Sequence, residues 1–232
     1  MIFEKIQAVK PRTFCSISCF LAMNHKAFCF NAFSENTYII WDDNKEGLII
    51  DPGCSNTMEE NELYAFLQDE KITLRHHLLT HAHIDHVLGC NFIFTKFGLN
   101  PRFYELDRTL YEFAPGIAIK YGLPTLQLPE SGPTIRLDER ITLGSLQFEV
   151  LFTPGHSPGS VCFYNAQYHR IFSGDVLFEG SIGRTDLPGG NHQQLLDSIQ
   201  QKLFTLPPQT EVYSGHGGVT TIGMEKMTNP FF

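Results

Sequence analysis

From about residue 26 onward, apolar and polar positions alternate in short runs. KAFCFNAF (26–33), NTYIIW (36–41) and GLIIDPG (47–53) read as strands, separated by the turn formers Ser34-Glu35-Asn36 and Asp42-Asp43-Asn44. The period then lengthens. In MEENELYAFLQD (58–69), Leu63, Phe66 and Leu67 share one face of a helix. HHLLT (76–80) is a short buried strand. Val87, Cys90, Phe94 and Phe97 recur at steps of three and four, which predicts a helix over 86–97 ended by Gly98. Residues 107–121 predict two short helical pieces, with Asp107 as N-cap and Pro115 at the break. A β-rich second half follows in ITLGSLQFEVLFT (141–153), SVCFYNA (160–166) and RIFSGDV (170–176). A helix over 191–204 buries Leu195, Leu196, Ile199 and Leu203, and the strand EVYSG (211–215) leads into His216. Strands in both halves with helices between them predict an α/β protein: two sheets packed face to face, with helices outside.

A chain of 232 residues, 42% hydrophobic and 18% charged, has ample material for a core. Its net charge of −8 disfavours nucleic acid as a partner. The six cysteines (15, 19, 29, 54, 90 and 162) form no CxxC pair, so reduced thiols in a cytoplasmic protein are expected. No apolar run is long enough to span a bilayer. Residues 1–24 read as an N-terminal extension before a single catalytic domain over 25–232. Lys5, Lys10 and Arg12 precede the apolar FCSISCFLA (14–22), but Glu4, Ser16 and Ser18 interrupt any signal-peptide pattern. Met23 is a second candidate start of translation; a peptide from residues 1–22 in the mass spectrum of the natively expressed protein would exclude it.

The chemistry concentrates at THAHIDHVLG (80–89). His81, His83 and Asp85 are spaced by two, so in extended chain they point the same way. His86, at the start of the predicted helix, can turn toward a neighbouring point, and Asp85 at a helix N-terminus is favoured as the anion. His156 in TPGHSPGS (153–160), Asp175 in FSGDVLF (172–178) and His216 in YSGHGG (213–218) each follow a strand with small residues beside them. Strand ends on one rim of a sandwich can converge. A set rich in His and Asp and free of Cys is the style of an open catalytic metal site, not of a closed structural one. His25, His76, His77, His169 and His192 stand alone and read as surface or satisfied core residues.

As an ordered set, THAHIDH (80–86), GHSPGS (155–160), SGD (173–175) and SGHG (214–217) resemble the metallo-β-lactamase superfamily. Within it, GDVLFEGSIGRTDLPGGNHQQLLDSI (174–199) and GHGGVTTIGMEKMTNPF (215–231) are most similar to glyoxalase II, the hydroxyacylglutathione hydrolases, in a compact bacterial form. The resemblance implies a four-layer αββα sandwich with two divalent metal ions on one rim, zinc foremost and iron or manganese as alternatives. It places His81, His83 and His156 on the first metal, Asp85, His86 and His216 on the second, and Asp175 between them. Asp51, in IIDPG (49–53), would orient a ligand histidine from behind. The longer glyoxalase II enzymes carry a C-terminal helical domain that helps hold glutathione. Only sixteen residues follow His216 here, so the resemblance speaks to reaction type more than to substrate.

The reaction so implied is hydrolysis of a small-molecule thioester such as S-D-lactoylglutathione, by a metal-bridging hydroxide with Asp85 and Asp175 beside it. A thiol with a pKa of about 8.5 leaves without a strong general acid. Arg184, in GRTD (183–186), would meet a glutathione carboxylate or pair with Asp186. The nearest alternative is a persulfide dioxygenase with one iron on His81, His156 and Asp175. A phosphodiesterase or nuclease, a true β-lactamase and a non-catalytic metal-stabilised module rank below it.

Overall fold

A computed structural model describes residues 23–232; of the extension expected over residues 1–24, residues 1–22 lie outside the described residues. Strands β1 (Asn24–Phe30), β2 (Glu35–Trp41), β3 (Glu46–Ile50) and β4 (Thr73–Leu78) form one sheet in that order. The first three run antiparallel and β3 and β4 are parallel. A parallel pair needs a crossover, supplied by α1 (Thr57–Asp69). Asn56 starts that helix by accepting hydrogen bonds from the backbone N–H groups of Met58 and Glu59. Two short helices, α2 (Ile84–Val87) and α3 (Cys90–Phe97), follow β4, and α4 (Arg108–Lys120) comes after a 3-10 turn at Glu105–Asp107.

The second sheet holds β5 (Arg140–Leu143), β6 (Leu146–Phe152), β7 (Val161–Asn165), β8 (Arg170–Gly174), β11 (Glu211–Ser214) and β12 (Thr220–Thr221), in the order β12-β11-β8-β7-β6-β5. Its one parallel pair is β8 and β11. The connection between them carries the hairpin β9 (Leu177–Phe178) and β10 (Ser181–Ile182), helix α5 (His192–Ser198) and a π-helical turn at Ile199–Leu203. The chain ends with α6 (Ile222–Thr228).

The sheets face each other across one core, where Ile40, Leu48, Ile50 and Leu78 meet Phe148, Val161, Phe163 and Phe172. On the far side of the first sheet, Ile39 and Ile49 pack under Leu63 and Leu67 of α1 and Ile93 of α3. On the far side of the second, Cys162, Ile171 and Val212 pack under Leu195, Ile199 and Leu203. The layers are therefore αββα, as the resemblance implied. Each fully buried aliphatic or aromatic side chain contributes about 1.5–3 kcal/mol. Met23 belongs to this inter-sheet core, and its carbonyl accepts a hydrogen bond from Arg170. Among the described residues, no helix is long and apolar enough to cross a membrane.

Three local expectations need correction. The continuous helix over 86–97 is two helices, because Gly89 is pressed onto the DPG turn. Its N–H bonds to the Pro52 carbonyl, and a Cβ there would lie 2.5 Å from Cys54 Sγ. Pro115 does not break α4 but lies within it. Tyr111, Ala114 and Ala118 bury one helix face against Val87, Cys90 and Phe103, which offsets the missing N–H. Asp107 does not cap α4 with its side chain; its carboxylate turns inward, to the site described next.

Candidate metal centre

Four strand ends on one rim deliver seven ligand-type side chains. β4 leads into His81 and His83, and the first turn of α2 carries Asp85 and His86. His156 follows β6, Asp175 follows β8 and His216 follows β11. In one triad, His83 Nδ1 lies 2.7 Å from His156 Nε2, which lies 3.1 Å from His81 Nε2. In the other, Asp85 Oδ2 is 3.1 Å from His216 Nε2 and 3.6 Å from His86 Nε2. Asp175 stands between them, with Oδ1 3.4 Å from His86 Nε2 and Oδ2 3.5 Å from both His156 Nε2 and His216 Nε2. Within each triad the candidate ligand atoms all lie within 4.8 Å of one another. The structure thus brings together every ligand the sequence named.

Outer contacts orient four of the five imidazoles, those of His81, His86, His156 and His216. Thr80 Oγ1 gives its single hydrogen to Asp51 Oδ2 at 2.6 Å, so it accepts from His81 Nδ1 at 3.0 Å and leaves Nε2 bare. His156 Nδ1 donates to the Arg184 carbonyl at 2.7 Å, and His216 Nδ1 to the Ser34 carbonyl at 3.2 Å. His86 Nδ1 faces Asp51 Oδ2 at 3.1 Å. The nitrogens opposite these contacts converge on the centre, the orientation metal-binding imidazoles require. Asp51 also lies near His81 and His86, but its carboxylate is engaged by the Thr80 N–H, the Thr80 hydroxyl and His86. Its carboxylate lies behind the His81 and His86 imidazoles.

Electrostatics asks for positive charge at this spot. Burial drives the His81 imidazole well below its ordinary pKa, with His86 and His156 adding to it, and takes His83 down to about 3, helped by His156. The carboxylates act oppositely. Burial works against ionising Asp175, yet His86 and His216 hold it well below the usual carboxylate range. Burial likewise opposes charge on His216, but its contacts with Asp175 and Asp85 lift it to about 10. His86 is raised well above its ordinary value for the same reason, by Asp85, Asp175 and Asp51. A cation held between the carboxylates would take the place of those protons.

The donor set therefore fits divalent metal ions. With both Nδ1 atoms carrying the proton, the bare Nε2 atoms of His81 and His156 face each other at 3.1 Å and repel unless a positive charge lies between them. Asp175 Oδ1 and His86 Nε2 are buried without a hydrogen-bond partner, and both face the centre. Gly215 keeps the space open: a Cβ there would lie 2.2 Å from Asp175 Oδ1 and 2.8 Å from His86 Cε1. The open side of both triads gives onto a cavity of about 1120 Å³.

Several supporting groups escaped the sequence reading. Asp107, fully buried, accepts hydrogen bonds from Ala82 N (3.0 Å), Ser157 Oγ (2.7 Å) and Gly159 N (2.6 Å). It ties the His81–His83 loop to the His156 loop. Glu35, which the sequence placed in a turn, is also fully buried, with Oε1 4.0 Å from His86 Nδ1. Asn31 reaches from the β1–β2 turn to the carbonyls of Gly53 and Asp85. The Arg184 guanidinium pairs with Asp186 at 2.7 Å, and it is the Arg184 backbone carbonyl that serves His156. The five histidines set aside in the sequence stand apart from the centre. For example, His76 meets the Thr142 carbonyl and His77 the Leu99 carbonyl.

Fold and site together define a metallo-hydrolase, and residues 31–216 match the metallo-beta-lactamase superfamily. The chain belongs to that superfamily. Hydroxyacylglutathione hydrolase GloC of Haemophilus influenzae is 38% identical over 217 residues, covering 90% of this chain and 98% of that protein. Among solved structures, the BLEG-1 B3 metallo-beta-lactamase aligns with a TM-score of 0.81 at 38% identity, over 90% of this chain and 99% of that one. TTHA1623 in a di-iron-bound form aligns equally well, with a TM-score of 0.81 at 38% identity, over 89% and 100% of the two chains.

Proposed function

We propose that this metal-dependent hydrolase cleaves a small-molecule thioester at a pair of divalent metal ions, with S-D-lactoylglutathione as its first candidate substrate. The observation that carries the reading is the convergence of two three-residue ligand sets, with Asp175 between them, on the floor of a cavity of substrate size. His81, His83 and His156 would hold one ion and Asp85, His86 and His216 the other. When bound, such a pair supplies a hydroxide near neutral pH and electrophilic stabilisation of developing oxyanion charge. The likeness to hydroxyacylglutathione hydrolase GloC supports the substrate class.

The chain's own residues orient the reactants. Asp85 and Asp175 flank the position of the attacking water and accept its hydrogen bonds. Thr80, Asp51, Ser34 and the Arg184 carbonyl keep the imidazoles turned inward. In the reaction, the water gives one proton to Asp85 as its oxygen bonds to the acyl carbon and the C–S bond breaks, and the carboxylic acid product loses the other to solvent. The sulfur leaves as thiolate, so no strong general acid is required. Zinc suits a set of imidazoles and carboxylates with an open position.

The test is loss of thioester absorbance with S-D-lactoylglutathione, on zinc-loaded and on chelator-treated protein. Hydrolysis should vanish with chelator and return with metal. A metal-replete protein that leaves this thioester intact overturns the substrate assignment. One that leaves every thioester intact overturns the reaction class, and oxygen uptake with glutathione persulfide on iron-loaded protein would then be measured.

A further inference from the structure

We infer that the acyl group of the substrate is an extended apolar chain laid along helix α4, an inference that rests on the thioesterase reading above. The cavity over the centre is walled on one side by Leu110, Phe113 and Ile117. These positions recur at steps of three and four, so they share a face of α4. The helix has already buried Tyr111, Ala114 and Ala118 in the core beneath it. Leu110 and Ile117 are half-buried against that core and Phe113 is 67% exposed, so together they keep apolar surface turned to the cavity. Ile182, Leu187 and Pro188 line the cavity as well. An apolar wall beside a catalytic floor marks a site for an apolar ligand group.

Charge points the same way. Among the described residues, Lys120 and Arg184 are the lysine and arginine side chains that line the cavity. Arg184 is engaged by both oxygens of Asp186, which leaves Lys120, at the end of α4, as the one of the two with no ion pair among the described residues. The apolar walls suit a hydrocarbon better than a short hydroxylated acyl group. The carbonyl would sit over the centre with the chain running outward past Leu110 toward Phe113 and Ile117.

The experiment measures kcat/KM for metal-replete enzyme on S-acetyl-, S-butyryl-, S-hexanoyl- and S-octanoylglutathione, beside S-D-lactoylglutathione. A fully buried methylene is worth about fourfold and a half-buried one about twofold. The hexanoyl ester should therefore exceed the acetyl ester by at least about tenfold. Phe113→Ser and Ile117→Ser should lower that ratio severalfold, and the ratio rather than either rate is the readout. Both side chains lie at the cavity wall, so circular dichroism should show the variants folded. A flat or falling series on an enzyme that hydrolyses the lactoyl ester overturns this inference and leaves the thioesterase reading standing. A rising series untouched by either substitution overturns the placement along α4. Failure to hydrolyse any thioester overturns both readings together.

Discussion

Replacing Asp107 by alanine withdraws the acceptor from three buried donors at once. Ser157 Oγ keeps an alternative partner in Ser160 Oγ at 2.7 Å, so it is not stranded. The N–H groups of Ala82 and Gly159 are, because each points at the Asp107 carboxylate from inside the fold. A buried donor left unsatisfied costs about 1–3 kcal/mol, so the pair costs roughly 4 kcal/mol. Part of this is returned, because burial raises the Asp107 pKa and so penalises its charge. A net loss of about 2–3 kcal/mol follows, or a fall in Tm of roughly 4–12 °C for a chain of this size. The variant should also weaken metal at the His81, His83 and His156 set, by about ten- to a hundredfold, since the two loops it releases carry those residues. Asp107→Asn, which keeps one acceptor oxygen, should fall between wild type and Asp107→Ala in both readings. Thermal melts of chelator-treated protein and competitive zinc titration give the two numbers. A melting temperature within about 2 °C of wild type, with unchanged metal affinity, would show that something else holds the loops.

Three further outcomes can be checked. Gly215→Ala should displace Asp175 by its 2.2 Å approach to Oδ1 and lower kcat/KM about a hundredfold, with the fold retained by circular dichroism. His156→Ala and His216→Ala should each reduce bound zinc from two ions to one in dialysed protein measured by mass spectrometry; retention of two by either would break the assignment of triads. Burial lowers the His77 pKa to about 4, against 6.5 when unfolded, so this residue is folded as neutral imidazole. The unfolded chain then binds more protons between these values. Stability from His77 is complete above pH 6.5 and is lost as pH falls toward 4, at about 1.4 kcal/mol per unit and about 3 kcal/mol in all. Urea unfolding of wild type against His77→Gln should show that slope in the first and its reduction in the second.

The ligand set was legible because each member follows a strand and carries a side chain with few structural uses at that place. Strand ends on one rim meet in space, so order along the chain sufficed. The supports were illegible for the opposite reason. Asp107 opens a helical pattern, where a cap is the local expectation. Its actual partners lie 25, 50 and 52 residues away. Glu35 sat in a polar run that reads as turn, yet the β1–β2 hairpin lays it against His86. The break between α2 and α3 left no mark in the apolar periodicity, since it comes from the contact between Gly89 and Pro52. Pro115 announced a break that the packing of α4 overrides.

The seven ligand-type residues do not come from one sheet. Four follow β4 of the first sheet, and three follow β6, β8 and β11 of the second. Ions held among them would rivet the two halves of the sandwich at the rim, as a disulfide does, but by a bond that chelation undoes. Two consequences follow for how the protein behaves as a material. Loading should raise the unfolding temperature in step with free metal concentration. Substitutions between the sheets, at Phe172 or Leu78, which make no contact with a metal themselves, should register as weaker zinc binding, because the rivet holds only while the two plates stay aligned.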